Sequence, residues 1–335
     1  MILTRTPMRL PLGGGSTDLP AYFEKYGGFI FSVSINLYMY IGVNRPPADD
    51  LIRVKYRESE EVSSVDELKH ILVKAALKHT GIDRMIEISS KADVSDGTGM
   101  GSSGSYLIGL LNALHTLKGD RLSRRHLAEE AYDIATKILG LPDGKQDFYL
   151  ASFGNFCVLD IAQNGGVTVS NADISRKTQE NFERRTLLFY TGVRRSSSPI
   201  LQELQKNVRG GNQDAIALKH ETKRIGQRIL NVFETGQLDE FGELLDEHWK
   251  VKRKMSAQMS TDAFDALYEA AKRVGALGGK IVGAGGGGFF LIYCREGTQE
   301  SVRKVFAERD LREIPFSVDS TGTQVLVNKP RIFTL

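Results

Sequence analysis

Apolar and polar positions along the 335 residues alternate between two periodicities. Residues 2–10 read as a short strand carrying Arg5 and Arg9. Phe29 to Val43, rich in β-branched and aromatic residues, reads as one or two more. Ile52 to Tyr56 and Met85 to Ser89 alternate with period two, as half-buried strands do. Helical spacing takes over in 64–80, where Leu68, Leu72, Ala75 and Ala76 share a face and Ser64 with Glu67 offers a capping box. It returns from Tyr106 to Leu117, and again after Ser123, where Leu127, Ala131, Ile134 and Ile138 fit one face before Gly140 and Pro142. Leu141 to Asp147 is predicted as a polar loop, with Phe153 to Leu159 and Arg185 to Tyr190 as strands. Helices fill 198–276, with breaks near 209–212, 235–238 and 257–262. Strand 279–283, a glycine loop, strand 289–294, helix 298–309 and a strand near 324–327 follow. Strands and helices mix without strict βαβ alternation, so the expected class is α+β, with two domains sharing a cleft.

Composition narrows this little. The chain is 41% hydrophobic and 25% charged, ordinary for a soluble globular protein. A net charge of +3 gives no bulk field for nucleic acid or an acidic membrane, so anion binding must be local. Cys157 and Cys294 lie far apart and suggest neither a disulfide framework nor a metal cluster. No run approaches the ~20 apolar residues of a membrane span, and the first residues have no apolar signal core. The expected setting is the cytoplasm, with no membrane partner. The informative bias is in the 34 glycines, many of them clustered at 13–15, 97–104 and 283–288.

Asp96 to Ser105 combines glycines with small hydroxyl residues and runs into a predicted helix. Glycines let backbone approach a ligand closely, and a helix start offers free N–H groups at a positive dipole end. Together they make a phosphate cradle; the plain alternative is a flexible loop before a helix. Gly99, Gly101 and Gly104 also match the dinucleotide string G-x-G-x-x-G. The strand before them, however, ends several residues early and alternates as antiparallel strands do. The similar string at 283–288 leads into a strand, so it fits a tight loop beside the cleft instead. No P-loop string and no protein-kinase H-R-D or D-F-G string occurs.

Three stretches together resemble the GHMP small-molecule kinases. Arg5 to Asp18 looks like their first motif, Gly97 to Ser105 like their second, ATP-phosphate motif, and Lys280 to Phe289 like their third. Order and spacing match over nearly the whole chain. Gly13 to Pro20, Gly144 to Asp147 and Phe189 to Arg195 look most like the D-glycero-D-manno-heptose 7-phosphate 1-kinase branch. The resemblance implies a two-domain GHMP kinase-like fold, with a ribosomal protein S5 domain 2-like domain over 1–175 and a ferredoxin-like domain over 176–335. It also implies ATP and Mg²⁺ as cofactors and a small sugar or sugar phosphate as substrate. Nucleic acid is not expected as a partner, and a homodimer is left open.

Such kinases position a hydroxyl in line with the γ-phosphate and stabilise spreading charge. The resemblance places the catalytic carboxylate at Asp147 and the basic residue of the first motif at Arg9. It gives nucleotide contacts to Gly97, Gly99, Met100, Gly101, Ser102, Ser103, Gly104 and Ser105. Asp18, with Gly15 and Thr17, falls where sugar kinases hold substrate hydroxyls; Gly285 and Gly286 would close on the same substrate. Lys145 and Arg195 are candidates for a phosphate already on the substrate, and Ser103 and Asp147 for Mg²⁺. Each has an ordinary alternative: a loop cap for Asp147, an Asx turn for Asp18, a helix cap for Ser103 and solvated charge for the cations.

Two departures from the family pattern stand out. Phe148 follows Asp147 where the branch usually has Gln, and Ala135 occupies the position of the family's Mg²⁺-binding glutamate. The expected function is ATP-dependent phosphorylation of a sugar or sugar phosphate, at the anomeric hydroxyl. The alternatives are a catalytically weak nucleotide- or sugar-binding relative, which Ala135 favours, and a galactokinase-like free-sugar kinase. A NAD-dependent dehydrogenase would rest on the glycine strings alone.

Overall fold

The computed structural model describes residues 1–329. Strand β1 (Ile2–Gly13) pairs antiparallel along nearly its whole length with β2 (Gly28–Asn44); helix α1 (Pro20–Tyr26) lies in their connection. The hairpin β3 (Ile52–Lys55) and β4 (Ser59–Val62) is followed by α2 (Ile71–Thr80) and β5 (Ile86–Ala92). Next come α3 (Ser102–Lys118), α4 (Arg124–Asp133), α5 (Gln146–Phe153) and the strands β6 (Phe156–Ile161) and β7 (Val167–Asn171). β2 is long enough to hold two partners on one edge, β6 along its first half and β5 along its second. Only the β3–β5 pair is parallel.

The rest of the chain supplies α6 (Arg176–Arg185), β8 (Thr186–Tyr190), α7 (Ser198–Arg209), α8 (Gln213–Thr235), α9 (Leu238–Arg253) and α10 (Asp262–Arg273). β9 (Ala276–Ile281), β10 (Phe289–Cys294), α11 (Gln299–Ala307), β11 (Arg312–Glu313) and β12 (Gln324–Asn328) complete it. The second sheet runs β11-β8-β10-β9, all antiparallel, the ferredoxin-like order. Period-two alternation splits β10 cleanly. Phe290, Ile292 and Cys294 pack with α10 and α11, while Phe289, Leu291 and Tyr293 join the main core. The expected boundary at 175/176 falls between β7 and α6, but β12 leaves the second half and pairs with β1.

Three local expectations need correction. The helix over 64–80 is interrupted: Val65–Glu67 makes one 3-10 turn, and α2 begins only at Ile71. The Glu60 carboxylate accepts the amides of Lys69 at 2.6 Å and His70 at 3.1 Å, which draws both out of helical bonding. The helix expected from Tyr106 begins at Ser102, so the serines form its first turn instead of a loop. The polar loop ends at Lys145, two residues before Asp147, which lies in the first turn of α5, where a carboxylate suits the helix dipole. After α4 the chain continues as one π-helical turn, Ile134–Ile138. No helix among the described residues is long and apolar enough to cross a membrane.

Candidate active site

A cleft of about 760 Å³ lies between the two sheets' halves of the molecule, with the α3 N-terminus on one wall and α9 and β9 on the other. The glycine loop before α3 is braced from across the cleft. A β-carbon on Gly99 would lie 2.5 Å from the Val282 carbonyl oxygen, and one on Gly283 2.5 Å from that of Gly99. The glycine cluster at 283–288 thus serves first to let two backbones touch. Gly283, Ala284 and Gly287 line the cleft. Gly285 and Gly286, expected at the substrate, do not; they press on Met259 and Gln258.

Within the second motif, Gly97, Gly99, Gly101, Ser102, Ser103 and Gly104 line the cleft. Two others do not. The Met100 side chain is wholly buried in the core, and only its carbonyl is engaged, accepting the Arg9 amide at 3.2 Å. Ser105 donates its hydroxyl inward to the Pro7 carbonyl at 2.7 Å. Starting the helix at Ser102 puts Ser105 on the face of α3 that packs on β1.

Asp147 stands beside this loop. Its Oδ1 accepts from Arg9 Nε at 2.7 Å and Nη2 at 2.6 Å, while Arg9 Nη1 donates to the Gly99 carbonyl at 2.6 Å. A β-carbon on Gly104 would lie 2.8 Å from Asp147 Cβ, so glycine is what lets α3 and α5 meet here. Asp18 is buried and caps α5 from a distance: its Oδ2 accepts the Gln146 amide at 2.9 Å. Burial, with the Asp147 charge nearby, pushes its carboxyl up from the usual range against the pull of the amide. Gly15 lines the cleft with open space about it. Thr17 does not; its hydroxyl is buried at 2.7 Å from the carbonyls of Gly14 and Phe29, closing the β1–α1 turn.

Asp143, within the polar loop expected over Leu141 to Asp147, is not among the expected site residues. It lines the cleft, and burial together with the charges of Asp147 and Asp18 pushes its carboxyl up to about 7.

The candidate phosphate ligands part company. Arg195 lines the cleft, and its buried Nε has no hydrogen-bond partner. Lys145 is turned into the α4–α5 contact instead. Its Nζ donates to Glu129 at 2.8 and 3.1 Å and lies 4.2 Å from the Tyr132 ring centroid. The cations that do line the cleft, Lys252 on α9 and Lys280 on β9, were not singled out, nor was His248. Their signal was present: Phe241, Leu245, His248 and Lys252 share one buried helix face, where a charge needs a reason. Lys252 Nζ donates to the carbonyls of Ile281 and Gly283 at 2.7 and 2.6 Å, and Lys280 Nζ to Leu12 at 2.9 Å. Burial, with Arg195 and Arg9 nearby, brings Lys252 down to about 7.

The cleft is also lined by Tyr56, Arg57, Glu58, His70, Ile71 and Leu72. The His70 ring stands edge-on to Tyr56 at 4.6 Å and stacks on Tyr106 at 5.0 Å.

Among the described residues, no group of three or more His, Cys, Asp or Glu side chains is placed to hold a metal. Ser103 and Asp147 offer oxygen donors on the cleft wall, the ligand type a hard cation takes, and Mg²⁺ often uses only one or two carboxylates. Ala135 does not face them; it is 1% exposed within the hydrophobic core, in the π-helical turn.

The GHMP kinases N terminal domain family matches residues 68–155, and the GHMP kinases C terminal family matches 229–310. The D-glycero-alpha-D-manno-heptose 7-phosphate kinase of Campylobacter jejuni is 27% identical over 87% of this chain and 89% of its own. The galactokinase of Pyrococcus furiosus is 24% identical over 86% of this chain and 87% of its own. A crystal structure described as a D-glycero-D-manno-heptose 1-phosphate kinase of Bacteroides thetaiotaomicron superposes with a TM-score of 0.82 at 24% identity. It covers 100% of both chains.

Proposed function

The chain belongs to the GHMP kinases, and from that premise we propose that it transfers the γ-phosphoryl group of ATP to the anomeric hydroxyl of a sugar phosphate. A heptose 7-phosphate is the leading acceptor, after the named activity of the Campylobacter relative. The observation that carries the reading is the Asp147 carboxylate set against the α3 N-terminus, one oxygen held by Arg9 and the other unclaimed.

In this reading the nucleobase lies beside Tyr56 and His70, and the phosphates follow the glycine loop to the amides of Ser102 to Gly104. Asp147 accepts the proton of the acceptor hydroxyl as its oxygen bonds to phosphorus. The bond from phosphorus to the β–γ bridging oxygen breaks, and ADP leaves. Arg9 holds Asp147 in place and supplies positive charge to the transferring group. Asp18 accepts from sugar hydroxyls while it fixes the start of α5. Mg²⁺, held by Ser103, Asp147 and nucleotide oxygens, would supply neutralising charge on the phosphates. Residues 1–175 would carry the nucleotide and residues 176–335 the opposite wall, working in the cytoplasm.

ADP release measured against a panel of hexoses, heptoses and their phosphates tests this. The proposal expects turnover with a phosphorylated heptose above all. The second reading, a weakly catalytic binder, would bind ATP and sugar yet release no ADP.

A further inference from the structure

We propose that His248, Lys252 and Lys280, together with Arg195, form a subsite for a second phosphate, the monoester that the acceptor sugar already carries. This rests on the sugar-phosphate reading above. All four line the cleft, and all come from the second half of the chain.

Their hydrogen bonding is incomplete. His248 is 3% exposed, and neither ring nitrogen has a partner. The Arg195 Nε is likewise buried and unpartnered. Unmade bonds of this kind are costly in a folded protein unless a ligand supplies them. An ammonium has three donors. Lys252 commits two to carbonyl oxygens and Lys280 commits one, which leaves donors on both.

Their charge is incomplete too. Among the described residues, no carboxylate lies within ion-pair reach of Lys252, Lys280 or Arg195. The charges that act on Lys252 come from Arg195 and Arg9, and those on Lys280 from Lys252 and Arg9, all of them positive. A dianionic phosphate satisfies both deficits at once. The glycine loop and the amides at the α3 N-terminus already provide for the nucleotide's phosphates, so this group is left for the acceptor. Arg195 alone was legible as a phosphate ligand; its partners are these three, and Lys145 is not among them.

Calorimetry on the full chain saturated with AMPPNP tests the assignment, with a heptose 7-phosphate, the parent heptose and inorganic phosphate as probes. The phosphorylated sugar should bind about tenfold to a hundredfold more tightly than its parent, the range of a charge-assisted contact. Lys280→Met should abolish that preference while AMPPNP affinity holds, with some loss of melting temperature because the buried Leu12 carbonyl loses its donor. His248→Leu, which breaks no backbone contact, should reduce it and carries the test if Lys280→Met does not fold. Equal affinity for sugar and sugar phosphate overturns the subsite, even if ADP release continues with a free sugar. Loss of AMPPNP binding in a folded variant overturns it as well, by giving the cluster to the nucleotide. Binding of inorganic phosphate that survives AMPPNP and depends on His248 would support the subsite even if no sugar phosphate is turned over, in which case only the substrate reading falls.

Discussion

The Arg9 guanidinium grips a single oxygen of Asp147, through Nε at 2.7 Å and Nη2 at 2.6 Å. A β-carbon placed on Gly101 would lie 3.3 Å from the other oxygen, so that oxygen faces the loop. The pairing holds the carboxylate still without consuming it. Asp147→Asn keeps the shape and removes the base, and is expected to lower kcat by ~10²–10⁴-fold. AMPPNP affinity should stay at its original value. Unchanged turnover in a steady-state assay would remove Asp147 from the chemistry.

Gly104→Ala should be far more damaging than Gly15→Ala. The first puts a methyl group 2.8 Å from Asp147 Cβ, and the second meets nothing within 4 Å. Overpacking of this kind costs ~1–3 kcal/mol, and here it also pries Asp147 from the loop. Denaturant midpoints and kcat of the two variants give the comparison; similar behaviour would mean that α3 and α5 do not meet as described.

Lys145→Met should lower stability by about 1–3 kcal/mol, through the lost charged hydrogen bonds to Glu129. It should leave the preference for a phosphorylated acceptor intact. A variant of normal stability that no longer distinguishes sugar from sugar phosphate would return Lys145 to the cleft.

Ala135→Glu would force a carboxylate into a site 1% exposed and walled by apolar side chains. The expected result is a fall of at least about 2 kcal/mol in stability with no change in Mg²⁺ dependence. A stable variant needing less Mg²⁺ for half-maximal activity would show that the new carboxylate reaches the metal after all.

Asp143 supplies a pH signature. Its carboxyl is raised to about 7, against 3.8 as its ordinary value. Between those values the folded chain holds a proton that the unfolded chain has released, so this group makes stability fall as pH rises from about 4 to 7. Asp143→Asn removes the effect. The melting temperature of the variant should gain on the parent progressively over that window and hold a constant lead above it. Parallel curves would show that Asp143 is an ordinary exposed carboxylate.

What could be read from the chain was what local pattern controls. Strands at 2–10 and 29–43 and the helix breaks near 209–212 and 235–238 follow from periodicity and turn residues, and they stand. The three glycine motifs were legible because close backbone contact leaves few residue choices. The exact start of α3 was not, because serines suit loops and first turns equally; four residues' difference turned Ser105 from the cleft into the core. Lys145 and Lys252 look alike in sequence. Only the packing of α4 on α5 gives one of them to Glu129, and only that of α9 on β9 gives the other to the cleft. Asp143 gains its character from burial first, then from the charges of Asp147 and of Asp18, and burial is set by packing that a local pattern does not show.

The pairing of β12 with β1 sets Ile2 opposite Asn328. During synthesis, the free edge of β1 must therefore wait for a partner made some three hundred residues later. Contacts of such long sequence separation are slow to form, and an unpaired edge strand is a template for association with other chains. A ribosome stalled between β7 and β12 would present a first sheet complete but for its closing strand, with the edge of β1 still open. Until the closing strand arrives, that edge stays open to pairing with other chains.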